Sequence, residues 1–196
     1  MRNCRRQVTA LALFALAISG AAAASLPRPA PDLAINLGPG RQLKLSQYKG
    51  KPVVLAFILT YCSHCQRTIG FLIKDQQEFG DRVQVVASAI EDAAAAALPG
   101  FMRQFAPPFP VGYNRNTEAN DFLQHPPMLI LHMPALVFID KDGVIRAQYE
   151  GAEPFFEQSA HEKNLHDKIE ELIKMGAPPA GKNSAKKSGG ASKKKS

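Results

Sequence analysis

Cys62-Ser63-His64-Cys65 places two thiols two residues apart, a spacing that can close into a disulfide, hold a soft metal, or alternate between the two thiol redox states. The pair follows the apolar run Val53-Val54-Leu55-Ala56-Phe57-Ile58-Leu59 and opens a helical pattern. It therefore sits at a strand-to-helix junction, where the first cysteine meets a helix N-terminus.

The compartment decides what such a pair must do. Arg2, Arg5 and Arg6 precede an apolar stretch at residues 8–18, and Ala22-Ala23-Ala24 precede Ser25, the pattern of a secretory signal peptide over residues 1–24. An uncleaved amino-terminal anchor is the alternative reading of the same segment. Cys4 lies ahead of the apolar stretch and would leave with the leader, so the mature chain would keep two cysteines. Outside the cytosol a lone dithiol needs a reductant, an oxidant or a metal as partner.

The formal charge of +7 invites a nucleic-acid partner, but its distribution argues against one. Of 24 basic residues, three arginines fall in the leader and six lysines at residues 177–196, leaving 15 against 17 acidic residues in between. The Lys-rich tail has no apolar periodicity and is expected to be disordered, either as a solvated, solubilising tail or in weak contact with an anionic envelope surface.

Residues 25–176 suffice for one domain. A proline-punctuated lead-in covers residues 25–39, and residues 42–46 read as a short edge strand. The fully apolar run at residues 53–59 predicts a strand buried on both faces. A helix is expected over residues 63–79, with Ile69, Leu72, Ile73 and Phe79 inward and Gly80 as its stop. Residues 82–88 predict a strand, residues 91–98 a helix with another turn at residues 99–105, and residues 117–123 a short helix. Residues 135–139 and 144–149 predict a hairpin around Asp140-Lys141-Asp142-Gly143. A final helix carries Leu165, Ile169, Leu172 and Ile173 on one face, with Gly176 as its stop. This order predicts an α/β fold: a parallel pair with a right-handed crossover, then an antiparallel hairpin, in a central mixed sheet flanked by helices on both faces. The dithiol falls at the carboxyl end of the first central strand, where open α/β sheets place their sites.

Four stretches carry a family likeness: Ala30-Pro31-Asp32-Leu33; residues 43–55 leading into Phe57; Thr60-Tyr61-Cys62-Ser63-His64-Cys65; and Met133-Pro134-Ala135-Leu136-Val137-Phe138-Ile139-Asp140-Lys141-Asp142-Gly143. With them the chain resembles the TlpA-like and AhpC/TSA (redoxin) branch of the thioredoxin superfamily. The resemblance implies a thioredoxin-like fold, with Cys62 as the exposed nucleophile and Cys65 as the buried resolving thiol. It also implies that Pro134 is a cis-proline facing the dithiol and aligning a substrate chain. The free N–H groups and partial positive charge of a helix N-terminus favour a thiolate at Cys62, in agreement with that role. His64 resembles the histidine of DsbA-type oxidants, which stabilises the reduced pair. The chain departs from the pattern at Tyr61, where tryptophan is usual, at Ala56, where thioredoxin has a buried aspartate, and at Thr68, where some reductases have a glutamate. No carboxylate is then evident for Cys65, leaving water, His64 or His132 to move its proton.

Two other chemistries compete. Cys62, Cys65 and His132 are a donor set that suits copper, with Met128 and Met133 nearby in sequence, and a similar histidine occurs in the thioredoxin-folded Sco-type copper chaperones. Those proteins hold three residues between their cysteines, against two here. Peroxidase activity needs a Pro-x-x-x-Thr-x-x-Cys arrangement, and Thr60 stands only two residues before Cys62. The expected function is therefore an exported, periplasmic or secreted thiol–disulfide oxidoreductase without organic cofactor, acting on protein dithiols or disulfides with a separate electron donor or acceptor. His125, His161 and His166 are expected to have no part in it.

Overall fold

A computed structural model describes residues 25–176; the expected leader at residues 1–24, with Cys4, and the Lys-rich tail at residues 177–196 lie outside the described residues. The central strand β4 (Val53–Ile58) is buried at every position. Its side chains alternate with the two-residue period of a strand. Val54, Ala56 and Ile58 enter one core, and Val53, Leu55 and Phe57 enter the other. On one side β5 (Gln84–Ala89) runs parallel to it, in a register from Val53 opposite Gln84 to Ile58 opposite Ala89. On the other side β7 (Ala135–Ile139) runs antiparallel, with Phe57 opposite Ala135.

The turn from β7 into β8 (Val144–Glu150) is organised by Asp140. Its Oδ1 accepts the Asp142 and Val144 amides at 2.9 Å each, and its Oδ2 accepts Arg146 Nε at 2.6 Å. Gly143 supplies the φ of +80° that closes the turn.

Helix α1 (Ser63–Phe79) buries Cys65, Thr68, Ile69, Leu72, Asp75 and Phe79, an i, i+3, i+4, i+7 stripe against the first core. The same core receives Leu98 and Phe101 of α2 (Ala94–Phe105) and Leu165, Ile169 and Leu172 of α4 (His161–Gly176). The opposite face is covered by α3 (Asn116–Leu123), whose Phe122 ring meets Phe57 edge-on at 5.8 Å. The expected α/β architecture, a mixed sheet with helices on both faces, is present. Among the described residues no helix is long and apolar enough to cross a membrane.

The sheet is larger than the sequence reading. Among the described residues it has eight strands, in the order β1-β8-β7-β4-β5-β6-β2-β3. Here β1 is Arg28–Pro29, β2 is Ala34–Gly38, β3 is Arg41–Lys44 and β6 is Val111–Tyr113. Of these margin strands only β3 was foreseen, as the edge strand. The others are two to five residues long and stand among prolines or glycines, so no period shows in them. Their existence depends on neighbours: β8 receives β1, and β6 pairs with both β5 and β2. Helix α2 is one element running through Pro99, and it begins at Ala94 rather than at residue 91. Glu91 stays outside it, at the exit of β5.

Candidate active site

The chain leaves β4 through Leu59 and Thr60 and turns at once, with the Cys62 amide donating to the Leu59 carbonyl at 3.1 Å. Cys62 is the N-cap residue of α1, in extended backbone geometry, and its carbonyl accepts the Gln66 amide at 2.9 Å. Among the described residues no side chain caps this end, which leaves the free N–H groups of the first turn to the Cys62 thiol and to solvent. Cys62 is half-buried, whereas Cys65 is fully buried, and both are free thiols. The Leu59 amide donates to Cys65 Sγ at 3.4 Å.

Burial above all pushes the Cys65 thiol well above the ordinary thiol range. The Leu59 amide works against that shift, while the neighbouring Cys62 thiol and the negative charge of Glu91 add to it. One sulfur thus meets solvent and the other is held protonated behind it.

Pro134 follows a cis Met133–Pro134 bond and is buried. Because Phe57 lies opposite Ala135 in the antiparallel pair, the register sets Pro134 level with Ile58, at the end of β4 from which Cys62 emerges. The loop is anchored from β8: the Gly151 amide donates to the His132 carbonyl at 2.9 Å. A Cβ on Gly151 would come within 2.4 Å of the Met133 carbonyl oxygen, so this close approach requires glycine. Tyr61, Met128, Leu129 and Ile130 are exposed apolar side chains beside Cys62 in sequence or on the segment leading to Pro134.

His64 is exposed on the first turn of α1, and its carbonyl accepts the Thr68 hydroxyl at 2.9 Å. Its charge bears on His161, which is buried among the rings of Phe71, Phe155 and Phe156 and pushed down to about 4, by burial first and then by Arg67 and His64. His125 pairs with Glu150 at 2.9 Å, and His166 pairs with Asp75. His132 is exposed. Among the described residues the ligating groups that cluster within 4.8 Å are Asp75, Glu78 and His166, between α1 and α4; the trio Cys62, Cys65 and His132 is not brought together in this way.

The residue that sequence reasoning missed is Glu91. Its Oε1 accepts the Thr60 amide at 3.0 Å and also the Thr60 hydroxyl. Its Oε2 is buried and meets no donor among the described residues. The parallel register explains the placement. Continuing the pairing of Ile58 with Ala89 by two residues sets Thr60 against Glu91, on the face shared by Val54, Ala56, Ile58 and Cys65. The one sequence signal was an acid just beyond the carboxyl end of the second strand.

The family model described as the AhpC/TSA family matches residues 26–148. A thiol–disulfide oxidoreductase named ResA from Bacillus thuringiensis subsp. konkukian (strain 97-27) is 23% identical over 124 residues, covering 63% of this chain and 69% of that protein. Its namesake from Bacillus subtilis (strain 168) is 25% identical over 148 residues, covering 75% of each. Among solved structures, a thiol:disulfide interchange protein of the thioredoxin family from Chlorobium tepidum superposes with a TM-score of 0.62 at 18% identity, over 77% of this chain and 99% of that one. That likeness establishes the thioredoxin-like fold.

Proposed function

This chain belongs to the AhpC/TSA family, and from that membership we propose that it is a thiol–disulfide oxidoreductase exchanging electrons with protein dithiols and disulfides through Cys62 and Cys65. The observation that carries the reading is the asymmetry of the pair. A half-buried sulfur sits at an uncapped helix N-terminus, with a fully buried sulfur one turn behind it.

In the reductive direction the Cys62 thiolate attacks one sulfur of a substrate disulfide. The Cys62–substrate bond forms, the substrate S–S bond breaks, and the second substrate sulfur leaves. Cys65 then attacks Cys62 Sγ, releasing the remaining substrate sulfur and leaving the Cys62–Cys65 disulfide. An electron donor must restore the dithiol. The oxidative direction runs through the same steps in reverse, with an electron acceptor in place of the donor. The electrons reside in the cysteine pair, so no organic cofactor is needed.

The strand pairing that sets Pro134 at the end of β4 from which Cys62 emerges supports a part for it in the first step, its buried cis loop aligning an extended substrate backbone. The exposed Tyr61, Met128, Leu129 and Ile130 suit a polypeptide substrate, since apolar surface left in water gains by being covered. His64 tunes the poise of the pair from the first turn of α1. The leader pattern supports placing this chemistry in the periplasm or outside the cell.

An insulin-reduction assay under reducing conditions tests the reading. The wild type accelerates disulfide cleavage and Cys62→Ser does not; equal inertness of the two proteins would overturn it.

A further inference from the structure

Resolution of the mixed disulfide requires Cys65 to lose a proton, yet its thiol is the group that burial, Cys62 and Glu91 together hold protonated. The two positions where related sites carry a carboxylate are Ala56 and Thr68, both fully buried and neither able to accept a proton from a thiol. Thr68 is also committed, donating its hydroxyl to the His64 carbonyl.

Glu91 is the carboxylate whose charge bears on Cys65, and it is fixed at the exit of β4 by Thr60. Two consecutive amides at the exit of β4 divide the work: Leu59 N–H holds Cys65 Sγ at 3.4 Å, and Thr60 N–H holds Glu91 Oε1 at 3.0 Å. Oε1 is saturated by Thr60, whereas Oε2 is buried without a donor. A buried carboxylate oxygen with no donor is costly, so its retention calls for a role. The titratable groups bearing on Cys65 are Cys62 from its own helix and Glu91 from the β5 exit. His64 and Arg67 lie exposed on α1 and bear on His161 of α4.

We infer that Glu91 is the proton acceptor for Cys65, receiving the thiol proton on Oε2 directly or through one water as Cys65 attacks Cys62. This inference rests on the exchange function proposed above. In the resolving step the Cys65–Cys62 bond forms, the Cys62–substrate bond breaks, the substrate leaves as a thiolate, and the proton passes from Cys65 to Glu91. The protonated carboxyl then delivers that proton to the departing thiolate or to water. When the protein disulfide is opened in the reverse direction, Glu91 returns the proton to Cys65 as it leaves. Thr60, which touches only Oε1, is a positioning residue that keeps Oε2 free.

The two steps separate in the reaction of the reduced protein with 5,5′-dithiobis(2-nitrobenzoate). Attack by Cys62 releases one chromophoric thiolate, and attack by Cys65 on the resulting mixed disulfide releases the second. In Glu91→Gln the first release keeps the wild-type rate, while the second slows by at least about tenfold near neutral pH. Its pH profile changes with it: the wild-type inflection disappears and the rate follows hydroxide. Glu91→Asp keeps a carboxylate and retains the inflection, so it covers the case in which the glutamine variant folds poorly. A second phase in Glu91→Gln with the wild-type rate and profile would overturn the assignment, because glutamine can still accept the Thr60 hydrogen bonds. Slowing in both variants with an unchanged profile would also overturn it, reducing Glu91 to a structural prop. Absence of the first release in the wild type would instead sink the exchange function itself.

Discussion

His166 Nδ1 lies 2.9 Å from Asp75 Oδ1 and ties α4 to α1, while Nε2 of the same ring faces Glu78 at 3.9 Å. The hydrogen bond to Asp75 holds the His166 imidazole above its ordinary value. Burial holds the Asp75 carboxyl above its own, more strongly than His166 can lower it. Both shifts are upward, so the folded chain binds these protons more tightly than the unfolded chain. The His166 contribution is complete below the unfolded imidazole value of about 6.5 and is lost as pH rises through the higher folded value. In thermal melts the stability that His166 contributes is therefore expected to fall between about pH 6.5 and about pH 8, whereas His161, held down to about 4, adds stability as pH rises toward about 6.5. In His166→Gln the fall flattens, and an unflattened profile would assign the loss of stability to other groups.

Gly151 and Met133 define a second constraint. Gly151→Ala forces a Cβ against the Met133 carbonyl oxygen at 2.4 Å and must displace the backbone that carries Pro134. The expected outcome is slower exchange with a protein disulfide. The small-molecule reaction of Cys62 should change much less, because that thiol is held by α1 and not by this loop. Steady-state assays with insulin and with a low-molecular-weight disulfide compare the two.

Cys65→Ser removes the resolving sulfur and leaves Cys62 at the helix N-terminus. Incubation with a disulfide substrate should accumulate the Cys62 mixed disulfide, seen on non-reducing gels and by intact mass, and no such adduct should form with Cys62→Ser.

His64→Ala should lower the reduction potential of the pair by roughly 30 mV or more, a tenfold change in the exchange equilibrium. The imidazole on the exposed first turn of α1 favours the reduced form, and its loss makes the disulfide a weaker oxidant. Equilibration with glutathione buffers measures the shift, and an unchanged potential would leave the poise to the helix terminus alone.

Phe57→Ala empties a fully buried site between β4 and α3 and removes the edge-on contact with Phe122. A loss of about 3–5 kcal/mol in unfolding free energy is expected from chemical denaturation. Phe57 points away from Cys65, so whatever protein remains folded should still react at Cys62.

The elements that could be read in advance share one property: their signal lies within a single window of sequence. The unbroken apolar run of β4, the helical stripe of α1 and the Asp-Lys-Asp-Gly turn between β7 and β8 each announce themselves over a few residues. The short margin strands β1, β2 and β6 do not, because backbone pairing with β8, β5 and the β2–β3 hairpin creates them, not side-chain pattern. Residues 91–93 illustrate the reverse error. Their helix propensity is real, but the Thr60 hydrogen bonds keep Glu91 at the strand exit and the helix waits until Ala94.

By itself, then, the sequence determined that two thiols meet at a strand-to-helix junction, which of them lies at the helix end, and that a Met-Pro step precedes a hairpin. These are local facts, written in spacing and period. Only the tertiary structure decided which carboxylate bears on Cys65. Thr60 and Glu91 are 31 residues apart and meet through the parallel register of β4 and β5. That register is set by how two strands and a crossover helix pack together, and nothing along either strand states it.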